Sequence, residues 1–149
     1  MANISLIYDG IITLVEAQLS TYSRLADAYN VESNDILRLV KGYSVGFGPG
    51  NNTERYITDG MLTTERTFTL TLTNLFTAND ADPSGRATIE KSLMEDAYKI
   101  WKKLQTTNYF GSIQVANCKY INDNGIEYTF GDNHKAISVI STLSVEYFE

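Results

Sequence analysis

The stretch that decides the fold is TTERTFTLTLTNLF, residues 63–76, in which apolar and polar side chains alternate with a period of two from Arg66 to Thr73. In an extended chain, Phe68, Leu70 and Leu72 point to one side, and the threonines between and around them point to the other. This period is typical of a strand that buries one face and leaves the other polar. The sequence therefore predicts a long, half-buried strand over residues 63–76.

A second long strand is predicted upstream, from Ile36 to Phe47. The segment Gly48–Asn52 cannot continue a regular ladder, because Pro49 lacks the amide donor and glycine favours irregular backbone. Thr53 to Leu62 fits an arm, a short strand or a loop. We predict a projecting hairpin arm over about residues 45–62, between the two strands.

The predicted arm is interpreted as a contact surface for a neighbouring molecule. A small domain has little folding reason to build so long an arm, whereas an added strand or arm is a recurrent mode of recognition. Tyrosine is enriched at interfaces because it buries a large area and keeps a polar tip. The predicted interaction residues are Phe47, Pro49, Asn51, Arg55 and Tyr56.

Two helices are predicted, one from Ile4 to about Tyr29 and one from about Pro83 to Gln105. Asp82 and Pro83 suit the cap and the first position of the second helix. Gly10 weakens the first helix by about 1 kcal/mol relative to alanine, or permits a close approach of another segment. The second helix carries an apolar stripe of Ile89, Leu93, Ala97, Ile100 and Leu104, with Met94 and Trp101 beside it.

The remaining sequence predicts a run of antiparallel strands. Ser112–Ile121 and Ile126–Phe130 are predicted as a hairpin, because Asn124-Gly125 is a strong two-residue turn signal. After a turn at residues 131–134, Ala136–Glu149 alternates again, with Ser141 breaking its apolar face. The fold class is therefore α+β: one domain, residues 1–149, with a mostly antiparallel sheet flanked by two helices and carrying the projecting arm.

Composition narrows the class of function. The chain has 149 residues, 43% of them hydrophobic, and a formal net charge of −6. This acidity argues against gripping nucleic-acid phosphates, which requires clustered lysine and arginine. The single cysteine, Cys118, excludes an intrachain disulfide and is interpreted as a buried strand residue. No signal peptide or membrane span is apparent, so synthesis in the cytoplasm is expected.

The sequence displays no set of catalytic residues. His134, the single histidine, lies in the turn sequence Asp132-Asn133-His134-Lys135 and is interpreted as a solvated turn residue. No nucleophile motif accompanies it. The glycines around Pro49 are not followed by the lysine and helix start of a phosphate-binding loop. We therefore predict no catalytic, cofactor-binding or metal-binding residues, and a protein that is not an enzyme.

The order of elements, the length and the closing strand, Ala136–Tyr147, together resemble the tail terminator (tail completion) proteins of long-tailed bacteriophages. Members of that family are similar in size and begin with a helix. They carry a projecting hairpin between two long strands, lay a helix across the sheet and finish on an alternating strand. The hairpin would correspond to about Arg38–Phe76, and the helix across the sheet to Pro83–Gln105.

This resemblance implies a structural virion protein. Family members form a hexameric ring that caps the finished tail tube, ends its growth and joins it to the head or neck. The implied partners are other copies of the chain, the tail tube protein and a head-completion or neck protein. DNA would pass through an acidic lumen without specific binding, because like charges repel. No cofactor and no membrane partner are implied, and the location is the tail or neck of the virion.

Two alternatives remain open from the sequence. One is another head–tail joining protein, such as a head-closure or neck protein, or a tail tube subunit. Tube subunits usually build a larger β-sandwich with less helix. Two long helices are predicted in this chain, which favours the terminator over a tube subunit. The other is a small α+β enzyme or ligand-binding domain, which would need convergent polar groups in a pocket.

Overall fold

The computed structural model describes the backbone of residues 3–24, 41–57, 61–76, 83–130 and 135–148. Side chains are described for 3–24, 41–50, 63–74, 87–128 and 136–148. The elements are α1 (Asn3–Gln18), β1 (Ser23–Arg24), β2 (Lys41–Ile57), β3 (Met61–Phe76), α2 (Pro83–Gln105), β4 (Tyr109–Phe110), β5 (Ile113–Phe130) and β6 (Lys135–Phe148).

All six described strands belong to one sheet, in the order β1-β2-β3-β6-β5-β4. Only β1 and β2 pair in parallel, and every other described pair is antiparallel. The two central strands, β3 and β6, pair without a break from Thr63↔Phe148 to Phe76↔Lys135. The predicted α+β class, with a mostly antiparallel sheet and two helices, is confirmed.

The apolar faces of the two central strands form the middle of the core. Phe68, Leu70 and Leu72 of β3 are fully buried, as the alternating pattern predicts. They pair with the apolar face of β6 and belong to one core cluster with residues of both helices. Burying a side chain of this size contributes about 1.5–3 kcal/mol. The buried apolar helix residues are Ile7, Ile11, Ile12 and Val15 of α1, and Leu93, Ala97, Ile100 and Leu104 of α2.

Helix α2 spans Pro83–Gln105, the range expected from the sequence. Its predicted stripe faces the sheet, with Ile89, Met94 and Trp101 partly buried beside the core. Lys102 and Lys103 lie in the last turn, where positive charge complements the helix dipole. The sequence therefore predicted both the bounds and the buried face of this helix.

Helix α1 ends earlier than its periodicity predicted. It stops at Gln18, and the chain then turns through a hydrogen bond from the Tyr22 amide to the Leu19 carbonyl. The physical reason is the side chain of Tyr22, which is buried and donates a 2.7 Å hydrogen bond to Asp96 of α2. Strand β1 follows, and the predicted helical residues 25–29 lie outside the described part of the chain.

The hairpin predicted at Asn124-Gly125 is wrong. Strand β5 runs continuously from Ile113 to Phe130, and residues 124 and 125 form a bulge between the pairs Asp123↔Ser141 and Ile126↔Val139. Gly125 has a positive φ of 72°, and its amide donates to Asp123 Oδ1 at 2.7 Å. Asn124 Oδ1 accepts a hydrogen bond from the Ile140 amide of β6. An Asn-Gly pair suits a bulge as well as a turn, because both need a left-handed residue.

Strands β2 and β3 form a hairpin, hereafter the edge hairpin, which includes residues 53–62, the segment that the sequence left open between arm, short strand and loop. Strand β2 continues to Ile57 and β3 begins at Met61, so both sides of this segment are strand. The predicted strand residues 36–40 and the turn residues 58–60 lie outside the described residues. The interruption expected at Gly48-Pro49 is present as a register shift between Phe47↔Phe68 and Gly50↔Arg66.

Candidate functional site

The edge hairpin lies partly within the sheet and extends past it at one end. Strand β3 is paired with β6 as far as Thr63↔Phe148. The residues of β2 up to Arg55 therefore pair with the part of β3 that is itself paired with β6. Two further pairs, Tyr56↔Leu62 and Ile57↔Met61, lie beyond that point. These four residues are hereafter the hairpin tip. The pairing therefore places only the tip past the end of β6.

Strand β2 forms an edge of the sheet over most of its length. In the described residues, β1 pairs with it only at Gly42 and Tyr43. Backbone groups on the outer side of an edge strand are available to pair with another chain unless something covers them. A bulge at Gly48-Pro49 interrupts this edge, and β3 holds the bulge in place. Arg66 Nη1 donates to the Gly48 carbonyl at 3.2 Å, and Thr67 Oγ1 donates to the Pro49 carbonyl.

Phe47 presents an aromatic surface beside this bulge. Its side chain is 56% exposed, although it stacks on Tyr8 of α1 with ring centroids 4.8 Å apart. Tyr8 is fixed because its hydroxyl donates to the Val45 carbonyl at 3.0 Å and accepts a hydrogen bond from Arg24 Nη2 at 3.1 Å. The guanidinium of Arg24 also lies 5.9 Å from the centroid of the Tyr8 ring. A large, half-exposed aromatic ring on a fixed support is typical of a protein contact.

The structure places the five predicted interaction residues on β2. Phe47 and Pro49 are exposed. Asn51, Arg55 and Tyr56 pair through their backbones with β3, while their side chains lie outside the described set. Their role in contacts stays a prediction. Sequence reasoning missed Tyr8 and Arg24. Tyr8 lies four residues after Ile4 and three before Ile11, within the apolar spacing of α1, so periodicity gave no sign that it supports a surface residue.

A buried polar cluster joins the segment after α1 to α2. Burial, together with the hydrogen bond to Asp96, raises the pKa of the Tyr22 phenol above its ordinary value. Lys41 and Lys99 place their amines 3.9 Å and 3.6 Å from the Asp96 carboxylate. Tyr43 resembles Tyr22: burial and a 2.8 Å hydrogen bond to Glu16 raise its pKa. These contacts connect elements, and each phenol is held in its protonated form.

A polar cavity of about 340 Å³ lies on the sheet face opposite α2, lined by Glu65, Asn117, Lys119, Ser144 and Glu146. Glu65 and Glu146 occupy paired positions on β3 and β6. Glu65 accepts a 2.9 Å hydrogen bond from Ser144 Oγ, and Glu146 accepts one of the same length from Thr63 Oγ1. The described residues contain no group of three or more histidine, cysteine or acidic side chains arranged to hold a metal ion.

The remaining reactive residues give no catalytic arrangement in the part of the chain that is described. Cys118 is buried, as predicted, and burial raises the pKa of its thiol to about 12. A thiol with so high a pKa is a poor nucleophile, because the thiolate is the reactive form. His134 lies outside the described residues. Within the described residues, no helix is both long and apolar enough to cross a membrane.

Comparison with known proteins yields distant structural similarity alone. No family model and no curated protein matches the chain. A chain in the solved structure titled "Virion of native gene transfer agent (GTA) particle" is similar, with a TM-score of 0.41 and 10% sequence identity over 91% of each chain. A similarity at this level supplies no argument about function, which has to come from the chain itself.

Proposed function

We propose that this chain is a structural virion protein, a tail terminator of a long-tailed phage or phage-like particle. In this role it forms a ring, expected to be hexameric, that caps the tail tube and ends its growth. The ring then offers a surface to the head-completion or neck protein. The protein performs no reaction and holds no cofactor.

The observation that carries this proposal is the edge hairpin with its exposed aromatic surface. A strand edge covered by β1 at only two described positions lies next to the 56% exposed ring of Phe47. A second protein that covers them would pair the open backbone groups of the edge and remove the apolar ring from water, and both changes favour association. The hairpin tip continues past the last pair between β3 and β6. Contacts of this kind repeat from copy to copy when one surface binds a different surface of the next copy.

The element pattern also agrees with the sequence resemblance. The chain begins with a helix, carries a long hairpin, lays α2 against the sheet and ends on the alternating strand β6. The net charge of −6 is compatible with a lumen through which DNA slides. The two long helices favour a terminator over a tail tube subunit. In this proposal the protein is made in the host cytoplasm and resides in the tail or neck of the virion.

The experiment that tests the proposal is native mass spectrometry of the purified chain, combined with negative-stain imaging of the chain mixed with tail tubes. A sixfold ring, or density that caps tube ends and stops their elongation, is the expected result. A ring that ignores tube ends but binds a neck protein would assign the chain to another head–tail joining class. A monomer that binds neither partner would overturn the proposal.

A further inference from the structure

A groove of about 570 Å³ runs between α1 and residues 106–112, the segment that joins α2 to β5. Apolar atoms form most of the surface of this α1 groove, threonine, asparagine, glutamine and serine side chains border it, and Lys103 of α2 is its one charged lining residue. The apolar part of the lining includes Leu6, Gly10, Leu14, Ala17 and Phe110. Ala17 and Lys103 are exposed, so the groove is open to an incoming chain.

The α1 groove is preformed. Phe110 is 4% exposed and packs so closely on α1 that a Cβ at Gly10 would lie 2.6 Å from its Cδ1. Side-chain hydrogen bonds from Thr106 and Thr107 to the Lys103 carbonyl hold the end of α2 beside it. A preformed groove loses little conformational entropy when a partner binds, which favours affinity.

Helix α1 separates this groove from the edge hairpin. Tyr8 and Gly10 are two residues apart, which is about 200° around a helix, so they lie on opposite sides of α1. Tyr8 contacts Val45 of β2, whereas Gly10 contacts Phe110 of β4. The start of α1 is at the end of the sheet where the hairpin tip emerges, because Asn3 Nδ2 donates to the Phe148 carbonyl at 3.2 Å. The groove begins about one turn further along α1, at Leu6, so each copy carries a tip and one end of a groove at the same end of the sheet, on different sides of α1.

The hairpin tip has the composition that such a groove requires. Its four residues are Tyr56, Ile57, Met61 and Leu62, and they form two consecutive cross-strand pairs. Large apolar residues at the end of a hairpin stabilise a protein when another apolar surface removes them from water. The sequence connecting the two sides of the tip contains one charged residue, Asp59, and its sign complements that of Lys103.

We propose that the hairpin tip of one copy docks into the α1 groove of a second copy. This inference rests on the proposed function, because it names the contact through which the ring closes. The contact is heterologous: each copy gives one tip and receives another, so the same contact repeats head to tail until the ring is complete. Apolar burial supplies the affinity, and the charge of Lys103 sets the orientation.

The test is disulfide trapping between two kinds of chain. A chain with Met61→Cys in the tip is mixed with a chain carrying Ala17→Cys in the groove, both in a Cys118→Ala background. The matched control replaces the groove variant by Glu95→Cys, at an exposed position on α2 that does not line the groove. The expected result is a covalent dimer of the tip and groove chains on mild oxidation, and none with the control chain.

The outcomes separate this inference from the function on which it rests. Wild-type rings together with tip–groove dimers support both. Wild-type rings that give no tip–groove dimer overturn the docking contact and leave the terminator function standing. A wild-type chain that forms no ring, with or without tail tubes, overturns both proposals.

A second variant measures the strength of the contact. Ala17→Arg fills the groove from an exposed position, so the fold is retained and ring assembly is expected to weaken by about tenfold or more. Glu95→Arg adds the same side chain outside the groove and should leave assembly unchanged. Equal assembly by the two variants, at equal melting temperatures, would contradict the proposed site.

Discussion

The side chain of Phe110 occupies the space that a side chain at Gly10 would take. A Cβ at position 10 would lie 2.6 Å from Cδ1 and 2.7 Å from Cβ of Phe110. This contact joins α1 to the two-residue strand β4, and through it to the start of β5. The glycine that weakens α1 in isolation is therefore the residue that lets the edge of the sheet pack against it.

Gly10→Ala is expected to destabilise the protein. Helix propensity alone would favour alanine by about 1 kcal/mol. The overlap with Phe110 involves Cβ as well as the ring, so relief requires backbone movement, and overpacking of this kind costs about 1–3 kcal/mol. We expect a net loss of about 1 kcal/mol in the free energy of unfolding, measured by urea denaturation. Gly46→Ala is the control, because a Cβ at Gly46 meets nothing within 4 Å. A Gly10→Ala protein more stable than wild type would contradict the contact.

Ser141, which interrupts the apolar face of β6, has a specific partner. Trp101 Nε1 donates a 2.9 Å hydrogen bond to Ser141 Oγ, and the indole stacks on Tyr120 with centroids 4.2 Å apart. Ser141→Ala leaves the indole N–H without this acceptor, and we expect a loss of about 1 kcal/mol, because Trp101 is only partly buried. Ser138→Ala, on the opposite face of the same strand, is the control.

Fluorescence provides a direct readout of that change, because Trp101 is the only tryptophan in the sequence. We expect the emission of Trp101 to shift in Ser141→Ala and to stay at its wild-type position in Ser138→Ala. Unchanged emission and unchanged stability in Ser141→Ala would show that the hydrogen bond contributes nothing.

Cys118 is expected to be inert in the folded protein. Burial raises the pKa of its thiol to about 12, so almost no thiolate is present at pH 8. Iodoacetamide should leave the native chain unmodified and alkylate it in concentrated urea. Alkylation of the native chain at the rate of the unfolded chain would show that the thiol is accessible.

The same raised pKa gives a stability change with a definite sign. In the unfolded chain the thiol titrates at about 8.5, so above that pH the unfolded state loses this proton while the folded state keeps it. The protonated Cys118 thiol therefore makes its full contribution to the free energy of unfolding below about pH 8.5. This contribution is lost progressively as the pH rises towards 12. Wild type should therefore lose more stability than Cys118→Ala between pH 8 and 10, and equal losses would contradict the assignment.

The sequence predicted those parts of the fold that depend on periodicity along one element. The alternation around Phe68, Leu70 and Leu72 identified a buried strand face, and the stripe on α2 identified both a helix and its bounds. In these segments local propensity and tertiary burial act in the same direction. Such consistency is the condition under which a single sequence determines its elements.

The failures arose where a distant residue decided the local structure. The end of α1 depends on Asp96, which hydrogen-bonds Tyr22 across 74 residues of sequence. The continuity of β5 through Asn124-Gly125 depends on Ile140, whose amide donates to the Asn124 side chain. The α1 groove was missed for a similar reason, since it forms between helix residues and a segment about 100 residues away. The spacing of apolar residues along one element contains no information about such pairs.

Phe47→Ser is expected to weaken assembly without unfolding the chain. The ring is 56% exposed, so its removal leaves most of the core intact, although the stacking on Tyr8 contributes about 0.5–1.5 kcal/mol. A central aromatic anchor in an interface typically contributes about 2 kcal/mol or more to binding, which is about a 30-fold change in affinity. Tyr98→Ser is the control, because Tyr98 is 59% exposed on α2 and is remote in sequence from the edge hairpin. Sedimentation velocity over a range of concentrations gives the assembly constant of each variant, and circular dichroism gives its melting temperature. If Phe47→Ser assembles as wild type does while Tyr98→Ser does not, the interface lies on α2 and the proposed role of the edge hairpin is wrong.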